Sequence, residues 1–278
     1  MSKSLEVIYE NNLLIIDGNN LAYRWKHSGT RHFFKEFLST IQSFRRSYKA
    51  KYVVLLADGG KSFYRKNIYP EYKGDREEKF KNQTESEKQL YLLFLEDLKE
   101  ALQYVKDNSD IKVLSFNKTE ADDIAAHIVC NHHNKFDYVW MLSSDEDWDL
   151  LLKDNVSRFA YTSRKEFSIN NWGEHYDYPF DKHLSVKCLV AGEDNIKGVE
   201  GIGPKRAISL LETYGDIFGV IDAIPIKSKL KFVARLNDSK DLLLRNIELM
   251  DLESYYKYAI TQEDTLEIEN AIGELLDG

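Results

Sequence analysis

The chain has 278 residues, of which 43% are hydrophobic and 13% aromatic, so it can bury the core of one large domain or two small ones. The N-terminal sequence lacks the apolar stretch of an export signal, and every apolar run is much shorter than the roughly 18 residues of a membrane span. Two cysteines are too few for a disulfide framework. We therefore expect a soluble cytoplasmic protein. Its formal charge of -8 at first argues against a nucleic-acid partner, because proteins that bind phosphate usually carry a basic surface.

The first predicted strands are short apolar runs that end in aspartate. Residues 13–16 predict a buried strand that ends at Asp17 and leads into a Gly-Asn-Asn loop. Residues 33–48 carry apolar side chains at helical spacing, which predicts an amphipathic helix. Residues 52–57 repeat the strand pattern and stop at Asp58. Two strands therefore each place an aspartate at their carboxyl end.

A polar segment interrupts this pattern. Residues 61–90 are highly charged and contain little that could anchor them in a core, so we expect a mobile or arch-like segment. The pattern is helical again from residue 90 to residue 104, and residues 111–116 predict a third strand.

More acids surround the next helix and strand. Thr119 is the predicted N-cap of a helix that runs to about Cys130, and residues 138–142 predict a fourth strand. The acids beside these elements are Glu120, Asp122, Asp123, Asp145 and Asp147. Alternating strands and helices predict an α/β fold with a mostly parallel sheet, followed after about residue 183 by a smaller helical region.

Seven carboxylates are thereby predicted at one edge of the sheet, because ligand sites of parallel sheets lie beyond the carboxyl ends of the strands. They are Asp17, Asp58, Glu120, Asp122, Asp123, Asp145 and Asp147. Such crowding is repulsive unless cations neutralise it. Oxygen-only ligands favour Mg²⁺ or Mn²⁺ over zinc, and two divalent ions would return about four positive charges to this edge. An acidic chain is therefore compatible with DNA binding.

Each motif also has an ordinary structural explanation. Asp-Gly-Asn-Asn and Asp-Gly-Gly are common turn sequences, Thr119 and Asp122 could belong to a capping box, and residues 145–149 could simply begin a charged helix. The combination favours function, because independent turns need not place acids at the same edge of one sheet.

The ordered motifs IIDGNN, LLADGGKS, EYKGDR, TEADD, SSDEDWD and GVEGIG resemble those of the flap endonuclease and 5′ nuclease family, in particular the 5′ exonucleases of tailed bacteriophages. The resemblance runs from about residue 12 to about residue 250. It implies a PIN-like nuclease core at residues 1–182 with a helical arch at about 70–100. It also implies a helical DNA-binding region at 183–278, with a helix-hairpin-helix at about 186–215.

The resemblance further implies a monomeric flap endonuclease and 5′-3′ exonuclease that cuts branched or frayed DNA during DNA replication. RNA/DNA hybrids are a further expected substrate. By this similarity one metal group is held or supported by Asp17, Asp58, Glu120, Asp122 and Asp123, and the second by Asp145, Asp147 and Asp194. The family element Gly-Asp-x-x-Asp-Asn is shortened here to Gly192-Glu193-Asp194-Asn195, so Glu193 is the candidate substitute for the missing aspartate.

Two segments are candidates for DNA contact without base reading. Tyr72, Lys73 and Arg76 combine an aromatic ring with cations, a composition typical of single-strand binding, although a solvated charged loop is the alternative. The resemblance makes Lys73 and Arg76 candidates to orient the scissile phosphate and Tyr72 a candidate to stack on a terminal base. Arg24 and Lys26 are weaker candidates.

The second segment, residues 198–206, resembles the hairpin of a helix-hairpin-helix element. Gly201 and Gly203 would let the backbone approach a DNA strand, while Lys205 and Arg206 would supply charge. In related proteins such a loop can hold K⁺. A helix-loop-helix connection without a ligand is the alternative.

Three other classes compete with this interpretation. A PIN-type ribonuclease shares an acidic α/β site but usually lacks both the arch and the hairpin. A DNA-binding module with a decayed metal site is disfavoured by the retention of seven acids. A haloacid-type phosphatase is disfavoured because Asp17 is not followed by the Asp-x-Thr pattern.

Overall fold

The computed structural model describes residues 9–277 as one six-stranded sheet with helices on both faces and a further group of helices beside it. The strands are β1 (Glu10–Asp17), β2 (Ala50–Leu56), β3 (Lys112–Leu114), β4 (Tyr138–Leu142), β5 (Val156–Ala160) and β6 (Lys165–Phe167). Their order in the sheet is β3-β2-β1-β4-β5-β6, and every pair is parallel except β5 with β6. The predicted α/β class with a mostly parallel sheet is confirmed.

Helices connect and cover the strands. They are α1 (Gly18–Ser28), α2 (Phe34–Ser47), α3 (Phe63–Ile68), α4 (Gly74–Lys81), α5 (Glu85–Asn108), α6 (Ala121–His132), α7 (His183–Val190), α8 (Pro204–Tyr214), α9 (Ile217–Ala223), α10 (Lys231–Asn237), α11 (Lys240–Met250), α12 (Leu252–Ala259) and α13 (Gln262–Asp277). No helix among residues 9–277 combines the length and apolar character that a membrane crossing requires.

The sheet is buried on both faces, which explains why β1 is a continuous apolar run rather than an alternating one. Residues 13–16 of β1 are completely buried. Leu14 and Ile16 pack with α1, α2 and α5 on one face, while Leu13 and Ile15 pack with α6, α12 and α13 on the other. The central strand thus holds Asp17 at a fixed point on the sheet edge.

A second core lies within α7 to α11 and includes the buried rings of Tyr69 and Tyr72. The last two helices leave this group and return to the sheet, where Leu252 and Ile268 join the core around α6. One oxygen of Glu269 on α13 lies 2.8 and 2.9 Å from the Nε2 atoms of His127 and His132 on α6, which fixes the C-terminal helix in place. Residues 183–250 are therefore the part of the helical region that packs mainly on itself.

Two strands, β5 and β6, were not predicted from the sequence. β5 carries a buried arginine in its middle, Arg158, whose guanidinium forms hydrogen bonds of 2.6 and 2.7 Å with the buried carboxylate of Asp149. Because this charged residue stands among the buried positions of β5, the strand lacks the apolar pattern by which it could be predicted. β6 has only three residues. The predicted helix at residues 90–104 is longer than expected, because Thr84 and Glu87 form a capping box that begins α5 at Glu85.

The expectation that residues 61–90 lack anchors in a core is wrong for their first half. Ser62, Arg65, Tyr69, Tyr72 and Lys73 are all buried. Polar and amphipathic side chains supply these anchors, so an apolar pattern could not reveal them.

The predicted N-cap of α6 is also wrong. The cap position is Glu120, which makes no side-chain capping bond, and the hydroxyl of Thr119 donates instead to the carbonyl of Ala259 at 3.5 Å. The acids at the start of α6 are therefore not explained by capping.

Candidate active site

The loops after β1 and β2 hold the first two aspartates. Asp17 is the N-cap of α1, where its carboxylate accepts from the backbone N–H of Asn20 at 2.9 Å and from the hydroxyl of Ser143 at 2.8 Å. Asp58 accepts from the backbone N–H of Ala121 at 2.9 Å. The backbone N–H of Asp58 also donates to Asn19 Oδ1 at 3.1 Å, so the site begins where four separate segments of the chain are tied to one another.

Glu120 is surrounded by hydrogen-bond donors from α3 and from the segment that follows it. Its carboxylate accepts from Lys73 Nζ at 2.7 Å, from the phenol of Tyr72 at 2.9 Å and from Arg65 at 3.4 Å. Burial by itself would raise the pKa of Glu120, but the charges of Lys73 and Arg65 and these hydrogen bonds hold it below its usual value. Glu120 is therefore an anion that is already paired.

The acids after β4 reach the same edge. Asp145 accepts from the backbone N–H of Asp147 at 2.9 Å. Asp147 pairs with Lys187 Nζ at 2.7 Å, and the indole of Trp148 donates to Asp122 at 2.7 Å. One short 3₁₀ segment therefore positions three carboxylates through its backbone and its tryptophan.

The loop after α7 closes the site from the side of the helical region. Asp194 pairs with the guanidinium of Arg76 and lies 3.6 Å from Lys73 Nζ. The backbone N–H of Lys73 donates to the carbonyl of Asp194 at 2.9 Å. Glu193 is 65% exposed and lies 3.6 Å from Lys187 Nζ. The shortened loop thus keeps both acids beside the predicted constellation.

Several carboxylates at this edge have raised pKa values, because their charged forms are destabilised. Burial, and then the charge of Asp58, raises the pKa of Asp17 to about 7. Burial, followed by the charge of Asp147, raises the pKa of Asp145 to about 6. The pKa of Asp122 lies well above its usual value for the same reason, first burial and then the charge of Asp145. These acids need positive charge that the protein supplies only in part.

The acids share a region, but their carboxylates do not meet at one point. Among residues 9–277, no three of their carboxylate oxygens lie within 4.8 Å of each other. Ammonium groups occupy the gaps instead, with Lys73 between Glu120 and Asp194 and Lys187 between Asp147 and Glu193. A cleft of about 10 Å³, room for one water-sized particle, is lined in part by Asp122, Asp147, Glu193 and Asp194.

The donor set fits hard divalent ions. Every acidic side chain at this edge offers oxygen, and no histidine or cysteine ligand is available from the loops that form it. The raised pKa values of Asp17 and Asp145 show that these acids are under-neutralised as they stand. The residues present therefore match an oxygen-ligated centre for divalent metal ions.

Asp123 is already paired within the protein. It is completely buried, and its two oxygens accept from the two terminal nitrogens of Arg65 at 2.7 and 2.8 Å. This ion pair anchors α3 to α6. The geometry supports a structural part for Asp123, and its place in the first metal group stays a prediction.

Tyr72 is buried in this structure. Its ring is 4% exposed and packs in the helical core, and its phenol donates to Glu120. Stacking of this ring on a terminal base stays a prediction, and it would require the ring to become exposed. Its segment was recognised from composition, but the contact made by Tyr72 is internal to the protein.

The predicted hairpin lies between α7 and α8. A side chain at Gly198 would place its Cβ 2.0 Å from the carbonyl oxygen of Val190, and Gly201 has a φ of +84°, so both positions favour glycine. Gly203 is the N-cap of α8. Lys205 is exposed, whereas Arg206 donates to the carbonyl of Gly201 and lies over the ring of Phe232.

Arg24 is exposed on α1, with its guanidinium 4.7 Å from the ring centroid of Trp25 and 5.4 Å from that of Tyr161.

Three residues that position the acids were not predicted from the sequence: Arg65, Trp148 and Lys187. A lysine inside the mostly apolar helix α7 was the one available signal for Lys187.

Comparisons with known proteins agree with this geometry. The family described as the 5′-3′ exonuclease, N-terminal resolvase-like domain, matches residues 12–177, which is more than half of the chain. The flap endonuclease of Escherichia phage T5 is 41% identical over 258 residues, covering 92% of this chain and 88% of that protein.

Two solved structures of the phage T5 enzyme superimpose on the fold. One is a flap endonuclease variant in a pseudo-enzyme–product complex with DNA and metal ions, with a TM-score of 0.91, 39% identity and coverage of 96% of this chain and 100% of that one. The other is the 5′-exonuclease with divalent zinc ions bound, with a TM-score of 0.90, 39% identity and coverage of 95% and 99%. On this evidence the chain belongs to the 5′-3′ exonuclease and flap endonuclease family of nucleases.

Proposed function

We propose that this protein is a structure-specific 5′ nuclease that hydrolyses phosphodiester bonds in DNA with 5′ flaps, nicks or frayed ends during replication. One observation carries the proposal. Carboxylates from the loops after β1, β2 and β4 and from the start of α6 lie at one edge of the sheet together with a buried lysine. RNA/DNA hybrids are a further proposed substrate, and the proposed acting species is a cytoplasmic monomer.

Two or more Mg²⁺ or Mn²⁺ ions are the proposed cofactors. Asp17, Asp58, Glu120 and Asp122 would hold one group, while Asp145, Asp147 and Asp194 would hold the other, with Glu193 as an additional ligand. When bound, such ions lower the pKa of a water and stabilise charge on a phosphate. The phage T5 structures with metal ions bound, zinc in one of them, support a dependence on divalent metal.

Lys73 and Arg76 would orient the scissile phosphate. Burial by itself would lower the pKa of Lys73, but its acidic surroundings, with Glu120 foremost among the carboxylates, raise it well above the usual value. Lys73 therefore stays an ammonium ion and acts through its charge, not as a base. Arg76 is 57% exposed at the mouth of the site, where its guanidinium can turn from Asp194 to a phosphate.

The hairpin between α7 and α8 would bind the backbone of the duplex. Gly201 and Gly203 lie in the turn, and the exposed Lys205 follows at the start of α8, where backbone N–H groups face an incoming phosphate. K⁺ at this hairpin is also proposed from the family resemblance. The carbonyl of Gly201 already accepts from Arg206, so the ion would have to use other carbonyls of the turn.

Cleavage of end-labelled 5′-flap, nicked-duplex and RNA/DNA hybrid substrates tests the proposal. We expect Mg²⁺-dependent products with a 5′ phosphate and a 3′ hydroxyl, complete inhibition by EDTA, and loss of cleavage with retained DNA binding in Asp58→Asn. Binding of flap DNA without cleavage by the unaltered protein at any Mg²⁺ or Mn²⁺ concentration would instead indicate a decayed, purely DNA-binding module.

A further inference from the structure

A cleft of about 270 Å³ lies where the C-terminal end of α1 faces the first turns of α5. Trp25, Leu90, Tyr91 and Phe94 form its apolar walls. Pockets for drug-sized ligands begin at about 300 Å³, so this cleft has room for a single flat ring system and not for an extended molecule.

The rim of the cleft is apolar and open to solvent. Leu90 is 62% exposed, whereas Phe94 on the floor is 5% exposed. The ring of Tyr91 lies 6.4 Å from that of Phe94 and is itself partly exposed. A flat apolar ligand could therefore enter beside Leu90 and stack on Tyr91 without any rearrangement of the core.

The cleft also offers polar groups without partners. Lys26 Nζ lies 4.6 Å from the ring centroid of Tyr91 and 4.8 Å from that of Tyr23, and it forms no ion pair with any residue from 9 to 277. Arg31 differs, because it is paired with the buried carboxylate of Asp97. The side-chain oxygen of Gln83 lines the cleft, is buried and has no hydrogen-bond partner in the described part of the chain. A cation, an acceptor and a stacking ring thus face one small space.

Helix α1 connects this cleft to the carboxylates. Lys26 follows Asp17 by nine positions, which places it about 14 Å further along the helix axis. Tyr23 lies between them, with its ring 5.5 Å from that of Phe94. Burial, followed by the nearby Tyr91 and then by Asp58 and Asp17, raises the pKa of Tyr23, which places its phenol within the field of the catalytic edge.

The cleft is built from a different part of the fold than the hairpin. Its lining comes from α1, the loop after α1, the turn before α5 and α5 itself, and none of it comes from the helical region that carries the hairpin. A duplex held at the hairpin would therefore leave the cleft free for another arm of a branched substrate.

We propose that this cleft binds one unpaired nucleobase of the 5′ single strand, stacked on Tyr91 against Leu90, with Lys26 on the adjoining phosphate. The proposal rests on the proposed function, since it assigns the arm of the substrate that lies 5′ to the cleavage point. Base stacking on an aromatic ring tolerates any base, so the cleft would fix the position of the strand and not read its sequence.

The test couples a change in the protein to a change in the DNA. Flap substrates carry a single abasic site at successive positions of the 5′ arm, and their Kd is measured in EDTA so that no cleavage occurs. For the unaltered protein we expect the Kd to rise about tenfold when the abasic site is at one position, and little at the others. In Leu90→Ser and Lys26→Gln the position dependence should shrink to about twofold or less.

Matched controls come from the same helix. Leu92→Ser replaces an exposed leucine and Lys99→Gln an exposed lysine on α5, both outside the cleft, and both should retain the full position dependence. 2-Aminopurine at the sensitive position should lose fluorescence on binding to the unaltered protein and to the controls, but much less with Leu90→Ser.

The outcomes separate the two proposals. If the unaltered protein cleaves flaps with Mg²⁺ but every abasic position gives the same Kd, or if Leu90→Ser behaves like Leu92→Ser, the cleft does not bind a base. If the unaltered protein neither binds nor cleaves flap DNA, the proposed function itself fails.

Discussion

Lys73 Nζ lies 2.7 Å from Glu120 Oε1 inside the protein, and both side chains are almost completely buried. Lys73 has a left-handed backbone conformation, with a φ of 54°, at the position that begins α4. A non-glycine residue in this region is uncommon and marks a site that the surrounding structure holds in place. The charge of Lys73 is therefore fixed at the catalytic edge before any substrate arrives.

Replacing Lys73 should separate catalysis from binding. We expect Lys73→Ala to lower kcat by about 100-fold or more, because a preorganised charge near a reacting phosphate typically contributes this much. The Kd for duplex DNA should change by less than about threefold. Lys79→Ala on the exposed side of α4 is the matched control and should be close to the unaltered protein. Equal losses in kcat and in affinity would rule out an active-site part for Lys73.

Glu193 should contribute to metal binding from its exposed position. We expect Glu193→Gln to raise the Mg²⁺ concentration needed for half-maximal cleavage several-fold, while kcat at saturating Mg²⁺ is largely retained. Asp147→Asn, which removes a buried acid, should cause a larger shift. A titration midpoint identical to that of the unaltered protein would show that Glu193 is not a ligand.

The metal-free protein should lose stability as the pH rises. Asp17 and Asp145 have folded-state pKa values of about 7 and about 6, above their usual value of 3.8, so the folded state binds more protons than the unfolded state between pH 4 and these values. Stability in EDTA should therefore fall from about pH 4 to about pH 7, by several kcal/mol.

Thermal unfolding in EDTA at pH 5 and pH 8 measures this effect. Asp17→Asn should flatten the pH profile, and added Mg²⁺ should raise the Tm more at pH 8 than at pH 5. A Tm that is higher at pH 8 in EDTA would contradict the assignment of these two acids as under-neutralised.

The pair of Arg65 and Asp123 should behave as a structural element. Removing one member leaves a buried charge without a partner, so we expect Asp123→Leu to cost about 3–5 kcal/mol. Asp123→Asn should cost less and should leave the Mg²⁺ midpoint for cleavage unchanged. The double variant Arg65→Leu with Asp123→Leu should recover part of the loss. A large change in metal requirement with an unaltered Tm would restore Asp123 to the ligand set.

Gly198 should be intolerant of any side chain. A Cβ at this position would lie 2.0 Å from a backbone oxygen, so the hairpin would have to move. We expect Gly198→Ala to weaken duplex binding and to lower the Tm. Gly273→Ala, where a Cβ would meet nothing within 4 Å in α13, should be neutral or slightly stabilising. Similar behaviour of the two variants would show that the close packing of the hairpin is unimportant.

The sequence revealed the aspartates because they follow recognisable apolar strands. Asp17, Asp58 and Asp145 each stand at or directly after the end of such a strand, and a parallel sheet brings those ends to one edge. The family membership and the fold class followed from the same motifs and are confirmed by the comparisons.

The features that were missed depend on pairs that only folding creates. Arg65 with Asp123 and Arg158 with Asp149 are buried ion pairs, and a charged residue in a linear sequence does not show that its partner lies in the core. The same reason explains why the bond from the phenol of Tyr72 to Glu120 was not foreseen. Composition identifies the segment, but the partners of each side chain depend on tertiary packing.

The bond from the backbone of Lys73 to the carbonyl of Asp194 has a mechanical consequence. It joins the residue that begins α4 to the loop between α7 and α8, which contains the proposed hairpin. The side-chain amide of Asn195 donates to the carbonyl of Glu71 at 3.0 Å and links the same two segments a second time. Under the proposed function, docking of the duplex at the hairpin and alignment of the ammonium group of Lys73 would therefore be coupled.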